Sequence, residues 1–545
     1  MYFQRGKKEW VKVFFVLALV FTASALVFGG GNRADAGKTR LEFLGPSPVA
    51  QPNGFQQVLE EVYRRTDGDL DIRLNYVFTG FDTIGQQVSL RIAAGEQLDG
   101  AFVAQWTNPT MMQMISQGLL NNLDPYFSND RYPGLKQYFQ SEYLAANSFP
   151  DSRNQNHIFA VPFADGYGAG TEGIFYRKDL ADKYGIGEID SYDKLIQYFD
   201  AIRANEPGMQ PFISVEGIPA WLMKMMYRSS PQTSGHNTDN FDGTVFAAAI
   251  GDDGKAYVAR HFIPEMDPKF RSMIKGPFGG EDQMMSARLS QSWYQKGYLG
   301  SDPMNDADAT SMFTAGRAAS IHGNSSLFIT LQNNLKASIP NAELEVWICS
   351  PNIRFNVQKA DGSGFNAWNF LAVPTTSKNL EKVMQFMDWI YRDRSNYDLL
   401  TYGIQGTHWI PVGNDKYDFP PNFNSVNAYD FPIYILTMNP LLTRYPLTMP
   451  DKVLKATVAS GDATNFYKRP TAGFSFVTSS VETEIAKLND LAAYKMAIDC
   501  GIYSNLEAEV TRIQGMYADA GFEKVAAELE RQFNEYLGTN PYQGQ

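Results

Sequence analysis

His157–Leu180 reads HIFAVPFADGYGAGTEGIFYRKDL, and its punctuation governs how the rest of the chain is parsed. Ile158-Phe159-Ala160-Val161 is a short apolar run of strand type, and Pro162 is expected to stop it, because proline has no N–H to give a ladder. Gly166, Gly168, Gly170 and Gly173 then space out a turn. Gly173-Ile174-Phe175-Tyr176 reads as a second strand that runs through Arg177-Lys178-Asp179-Leu180 into a helical segment. No helix N-terminus directly follows the glycines, so they do not read as a phosphate cradle. The pattern predicts a chain crossing between two lobes, with a cleft for a small molecule beside it.

Upstream, strand and helix signals alternate. Thr39–Leu44 reads as a strand, and Phe55–Arg64 as a helix with Phe55, Val58, Leu59 and Val62 on one face. Leu70–Phe78 is a strand, Asp82–Ala94 a helix stopped by Gly95, Leu98–Ala104 a buried-type strand, and Pro109–Gln117 a helix stopped by Gly118. That order predicts an α/β lobe with a largely parallel sheet. Ligands of such sheets sit outside the carboxyl ends of strands, and Trp106 lies just past one such end.

Downstream, Ser191–Ala204 reads as a helix capped by Ser191, Pro211–Ser214 as a strand, Trp221–Arg228 as an apolar helix and 229–256 as a loop. Glu281–Gly297 is a helix, Ala318–His322 and Phe370–Pro374 are strands, and Leu380–Tyr391 is an amphipathic helix. Thr478–Asn540 reads as helices almost throughout, with breaks at Gly501 and Gly521.

The length, 545 residues, suits two or three domains or one large two-lobed protein, and 44% hydrophobic content supports sizeable cores. A net charge of -12 argues against nucleic acid and against a purely electrostatic hold on anionic lipid. Cys349 and Cys500 form no CxxC motif; a disulfide and two separate buried thiols both remain open. Arg5, Lys7, Lys8 and Lys12 precede the apolar run Val13–Phe28, and Ala34-Asp35-Ala36 follows as a cleavage pattern. This predicts export. The run meets Gly29-Gly30-Gly31 where a lipobox would need cysteine, which excludes lipid anchoring by that route. The destination is then the periplasm or the outer face of the cytoplasmic membrane, with retention of the uncleaved segment as an anchor still open.

Catalytic signatures are missing: no GxSxG, HExxH, P-loop or GxGxxG after a strand occurs. Asn237, Asp239 and Asp242-Gly243 fail the spacing of a calcium loop, since Phe241 takes the third ligand position. Asp302, Asn305, Asp306 and Asp308 read as a turn capped by aspartate. Asp165 and Glu172 are carboxylates within the crossing, but no glycosidase motif surrounds them. Hence no catalytic residue, metal or cofactor is assigned.

Several stretches, in order, resemble one family. Ala93–Phe102 (AAGEQLDGAF), Gln117–Asp124 (QGLLNNLD), the opening stretch, Trp293–Leu299 (WYQKGYL) with Asp302-Pro303, Met312–Ile321 (MFTAGRAASI), Tyr402–Trp409 (YGIQGTHW) and Ala520–Tyr536 (AGFEKV…E…RQ…EY) carry the likeness across nearly the whole mature chain. The chain resembles the extracellular solute-binding proteins of bacterial ABC importers, in the carbohydrate-binding group related to maltose-binding protein, and most of all the long LplA-like branch. The resemblance implies a two-lobed periplasmic-binding-protein fold of type II, each lobe a mixed sheet flanked by helices. It implies a signal peptide at 1–36, a first lobe from 37–165 and 365–415, a second lobe from 166–364, and a mostly helical 416–545 joined chiefly to the second lobe. The function implied is capture of a carbohydrate by lobe closure and delivery to a membrane permease, by a monomer, without catalysis. An exported carbohydrate-active enzyme, a receptor for a non-sugar solute such as a peptide, and a sensory partner of a membrane kinase are the alternatives.

Carried over residue by residue, Trp106 resembles a sugar-stacking tryptophan, and Asp165, Tyr167 and Glu172 fall where the family offers a polar hinge residue. Maltose-type proteins have a stacking tryptophan where Ser325 stands; Asn324 beside it offers hydrogen bonds instead. Trp368, where the chain returns across the hinge, and His408-Trp409 complete the expected ligand contacts, while Trp221 is assigned to the core. Read on their own positions, each of these side chains serves equally as packing or turn stabilisation.

Overall fold

Five strands form the first sheet: β1 (Thr39–Pro46), β2 (Ile72–Thr79), β3 (Gly100–Val103), β4 (Ala160–Phe163) and, far along the chain, β9 (Asn369–Ala372). Their spatial order is β2-β1-β3-β9-β4. β1 is parallel to both β2 and β3, and β9 is antiparallel to β3 and β4, so the sheet is mixed. The protein is described by a computed structural model over residues 35–543, except 48, 152, 154, 165, 168–171, 215–217, 219, 228–235, 242–243, 276–281, 305–308 and 425–427. The expected export segment therefore lies almost wholly outside the described residues.

Helices α1 (Phe55–Thr66), α2 (Ile84–Ala93) and α3 (Met111–Ser116) alternate with these strands as their periodicity requires. Phe55, Val58, Leu59 and Val62 of α1 are all buried. Thr110 caps α3 by accepting from Gln113 N, with the Gln113 side chain returning to the Thr110 N–H. Pro162 does not stop its strand: it sits inside β4, opposite Phe370. β4 lies at the edge of the sheet, where one missing N–H is tolerated.

The second sheet has the order β6-β5-β7, with β5 (Glu172–Arg177) between β6 (Ser320–Asn324) and β7 (Leu344–Ile348), both antiparallel to it. Side chains of β5 alternate between two cores. Ile174 and Tyr176 pack with Tyr198 of α4 (Tyr192–Asn205), Trp293 of α5 (Met285–Gln295) and Trp347. Phe175 packs on the other face with Ile321, Phe328 and Val346. The expected strand at Pro211–Ser214 is reduced to isolated bridges at Gln210 and Ile213, and Ser191 stands at the start of α4 without a side-chain capping bond.

A third core lies towards the C-terminus. Phe241, Ile250 and Val258 meet Val510 and Ile513 of α9 (Leu506–Asp519) and Phe522, Leu529 and Phe533 of α10 (Phe522–Thr539). The expected loop at 229–256 instead contributes a three-stranded meander, Thr238–Asn240, Ala247–Ile250 and Ala256–Val258. Its strands are three or four residues long and one is mostly alanine, too short and too weakly patterned to show period-two alternation. The stretch after 416 contributes to more than one core. Phe431, Ile435 and Leu442 enter the first core, with Phe386 and Trp389 of α6 (Leu380–Arg392) and Tyr397 of α7 (Arg394–Tyr402), whereas Val453 and Ala456 of α8 (Asp451–Ser460) join the core of Phe175 and Ile321.

β4 belongs to the first sheet and β5 to the second, so the chain passes between them within 164–171. It returns through β8 (Asp361–Ser363), which pairs in parallel with β10 (Phe466–Lys468) before β9 rejoins the first sheet. Cys349 and Cys500 are both buried thiols, and burial pushes Cys349 up to about 12.

Candidate functional site

β1, β2 and β3 are mutually parallel, and β4 runs with them because β9 is antiparallel to its two neighbours. Their carboxyl ends therefore share one edge, the edge from which the chain leaves for the second sheet. Phe81 stands just past the end of β2, and Trp106 just past the end of β3. Trp368 precedes the antiparallel β9, so it reaches the same edge from the opposite direction. The Trp106 indole Nε1 donates to the Trp368 backbone carbonyl at 3.1 Å, joining residues 262 positions apart.

These rings are exposed by 42% at Phe81, 45% at Trp106 and 59% at Trp368, although β3, which leads to Trp106, is buried throughout. Phe81 lies 6.4 Å from Trp106 and 5.9 Å from Tyr434, centroid to centroid, with the planes tilted by 33° and 36°. Phe102 backs Trp106 from the core at 5.6 Å. Large exposed rings clustered at one strand edge make a candidate binding surface.

The second sheet presents a polar edge to the same crossing. β5 begins at Glu172, and β6 ends at Asn324, its ladder partner. His322, two residues back on β6, points to the same face, and its Nε2 lies 2.8 Å from Glu172 Oε2. All three side chains are partly exposed. Eight residues, 164–171, lie between Phe163 and Glu172, so nine peptide steps keep the two edges within about 30 Å of each other.

The structure brings Trp106 and Trp368 together, and Glu172 with Asn324, but it buries Tyr167, His408 and Trp409. Tyr167 is buried, its ring edge-on to Tyr143 at 5.7 Å and tilted against Phe365 at 5.8 Å, because the crossing packs into the first core here. His408 and Trp409 are buried at 2% and 3% and hold a turn: His408 Nδ1 accepts from Ile404 N at 2.8 Å, and Trp409 Nε1 donates to the Gly403 carbonyl at 2.9 Å. They reach no surface. Asp165 and the Trp221 side chain lie outside the described residues. Ser325 is buried and sits 3.3 Å from Thr457 Oγ1. Asn237 is committed to the carbonyls of Ile250 and Met273 at 2.7 and 2.8 Å.

Sequence reasoning missed Phe81, Tyr434 and His322. The rule that found Trp106, an aromatic just past a strand end, applies unchanged to Phe81 after β2. Nothing local marks Tyr434, which arrives from a short 3-10 turn at Ile433–Ile435.

Residues 45–397 match the model of the bacterial extracellular solute-binding protein family. The chain belongs to that family. Residues 470–538 of this solute-binding protein match a second model, a domain of unknown function, DUF3502. A carbohydrate ABC transporter substrate-binding protein of Streptococcus pneumoniae serotype 4 is 22% identical, over 97% of this chain and 99% of its own length. Among solved structures, the N-glycan transport solute binding protein of S. pneumoniae superposes with a TM-score of 0.66 at 17% identity, covering 92% of this chain and 100% of that one. An HMO-binding solute-binding protein from Bifidobacterium longum infantis does so with 0.60 at 14%, covering 92% and 99%. These likenesses show the fold, the two-lobed type II arrangement expected from the sequence. Among the described residues, no helix of this solute-binding protein is long and apolar enough to cross a membrane.

Proposed function

We propose that this solute-binding protein captures an oligosaccharide between its two sheets and delivers it to the membrane permease of an ABC importer. The observation that carries the reading is the convergence of Phe81, Trp106 and Trp368 on one strand edge beside the crossing. Sugars have apolar C–H faces and a rim of hydroxyls, so a site for them needs flat rings and polar groups together. Phe81, Trp106 and Trp368 supply the rings. Glu172, His322 and Asn324 supply acceptors and donors on the other side, with Asp165 offered from the crossing itself. The carbohydrate named for the S. pneumoniae relative and the glycans named for the structural neighbours support this choice of solute.

In this reading 37–165 and 365–415 form the first lobe, 166–364 the second, and the segment 1–36 directs export to the periplasm or the outer face of the cytoplasmic membrane. The lobes close on the solute, and closure is stabilised by whatever affinity the closed form gains over the open one. The chain performs no turnover. A carbohydrate-active enzyme would release shortened products from a bound glycan, whereas a carrier returns it intact.

The test is a thermal-shift screen of the purified mature chain against mono- and oligosaccharides, amino acids and peptides. A ligand at a hundred times its Kd stabilises the folded state by about 2.7 kcal/mol, enough to read. Glycans should raise the melting temperature and be recovered unchanged by mass spectrometry. Stabilisation by peptides alone, or hydrolysed glycan, would overturn the proposal.

A further inference from the structure

Where the chain passes between the lobes, three separate segments meet on one serine. The Ser363 hydroxyl donates to the Tyr167 backbone carbonyl, in the first crossing, and accepts from Phe365 N at 2.8 Å, in the return. The Ser363 carbonyl accepts from Arg469 N at 2.9 Å, just past β10. Tyr167 N in turn donates to the Ser460 carbonyl at the end of α8, at 2.8 Å. Ser363 is 2% exposed, so it cannot touch a solute.

The two sides of this node are anchored differently. On one side, β10 is tied to the third core: Asp239 Oδ2 accepts from Thr471 Oγ1 at 2.5 Å and lies 3.4 Å from Arg469 Nε, and the His236 and Tyr467 rings stack at 3.9 Å. On the other side, the Tyr167 ring is held by Tyr143 and Phe365 of the first core. A rotation of one lobe against the other therefore has to be taken up between β8–β10 and Tyr167, and among the described contacts there the Ser363 hydroxyl joins the Tyr167 carbonyl to the return, beside the Tyr167 N–H to Ser460 and the Tyr167–Phe365 ring contact. Gly166 is pressed into the same place: a Cβ there would stand 2.1 Å from Ser460 Oγ and 3.2 Å from its carbonyl.

We infer that Ser363 is a positioning residue of solute capture: its hydroxyl couples the first crossing to the return, and so sets the balance between open and closed lobes for every solute alike. The inference rests on capture by lobe closure, as proposed above. When the competent form is a fraction f of the molecules, the apparent Kd is the intrinsic one divided by f, whatever the ligand. Loss of the coupling weakens all solutes by one common factor, about tenfold for a tenfold drop in f.

The experiment measures Kd by titration calorimetry, well below every melting point, for several glycans that stabilise the wild type. Ser363→Ala, Ser363→Thr, Gly166→Ala and, as a cleft-lining comparison, Trp368→Ala are titrated in parallel, and small-angle scattering gives the radius of gyration with and without ligand. Expected are one common loss of affinity for Ser363→Ala across all glycans, a common loss for Gly166→Ala, recovery in Ser363→Thr, and losses for Trp368→Ala that vary with the glycan. A changed ligand-free radius should accompany Ser363→Ala. Unchanged Kd in Ser363→Ala, glycan-dependent losses in it, or no recovery by threonine would overturn the inference. Failure of any glycan to bind the wild type overturns the carbohydrate reading instead; the same variants are then titrated with whichever solute class stabilises the chain.

Discussion

Replacing Trp368 by alanine removes the most exposed ring of the aromatic edge and little else. The residue is 59% exposed, which on a tryptophan of about 250 Å² leaves roughly 150 Å² open to water. A sugar stacked on one face would cover about half of that, and roughly 75 Å² at about 25 cal/mol per Å² is worth about 2 kcal/mol. Kd should therefore rise about 30-fold. The backbone carbonyl that receives the Trp106 indole N–H survives the substitution, so Trp106 keeps its orientation. Folding stability should fall by no more than about 2.5 kcal/mol, because only the remaining roughly 100 Å² of the side chain is buried by folding. The assay is calorimetric titration of the best glycan from the thermal screen, with denaturant unfolding of both proteins as the control. A Kd within twofold of wild type, at unchanged stability, would refute the assignment of this ring to the solute.

Other consequences concern the frame that holds the edge in place. Asp398 is buried at 4% and accepts from Arg444 Nε and Nη2 at 3.0 and 2.8 Å and from Arg394 Nε at 3.3 Å. Asp398→Asn strands two guanidinium groups and should cost about 3 kcal/mol in denaturant unfolding, part of it recovered when Arg444→Met is added; a loss below about 1 kcal/mol would show the pair to be dispensable. A Cβ on Gly134 would lie 2.4 Å from Arg392 N and 2.6 Å from the Asp388 carbonyl of α6, so Gly134→Ala should destabilise by about 2 kcal/mol, and a neutral result would mean that α6 yields easily. Burial holds the His408 imidazole below its ordinary pKa, so it folds neutral while the unfolded chain binds a proton near pH 6.5. The depressed folded pKa means that stability falls as pH drops below about 6.5, down to the folded value. The melting temperature should fall more between pH 7 and 5 in the wild type than in His408→Gln, and parallel curves would disprove it.

Much of the fold was legible because its signals are local. In the first lobe the helix at Phe55 and the strands on either side follow from spacing of 3.6 or 2 residues, and the glycine-spaced break at 166–173 marks the passage between sheets by the absence of either period. Pro162 misled because a missing N–H matters only in a strand paired on both sides, and strand neighbours are not written in the local sequence. The meander at 238–258 was lost because strands of three or four small residues carry no readable alternation.

The sequence by itself determined the alternation of strands and helices, the point where the chain changes sheet, the acidic charge, and an aromatic just past a strand end at Trp106. Only the tertiary structure decided which aromatics meet there. Trp368 joins Trp106 because β9 inserts antiparallel between β3 and β4, pairing Phe370 with the distant Val103, and the indole bond to the Trp368 carbonyl then spans 262 residues. Likewise, His408 and Trp409 turn inwards because the Gly403–Trp409 turn closes on its own backbone, leaving those rings no path to solvent. The convergence of Trp106 and Trp368 depends on long-range packing, and no window of sequence holds both partners of that contact.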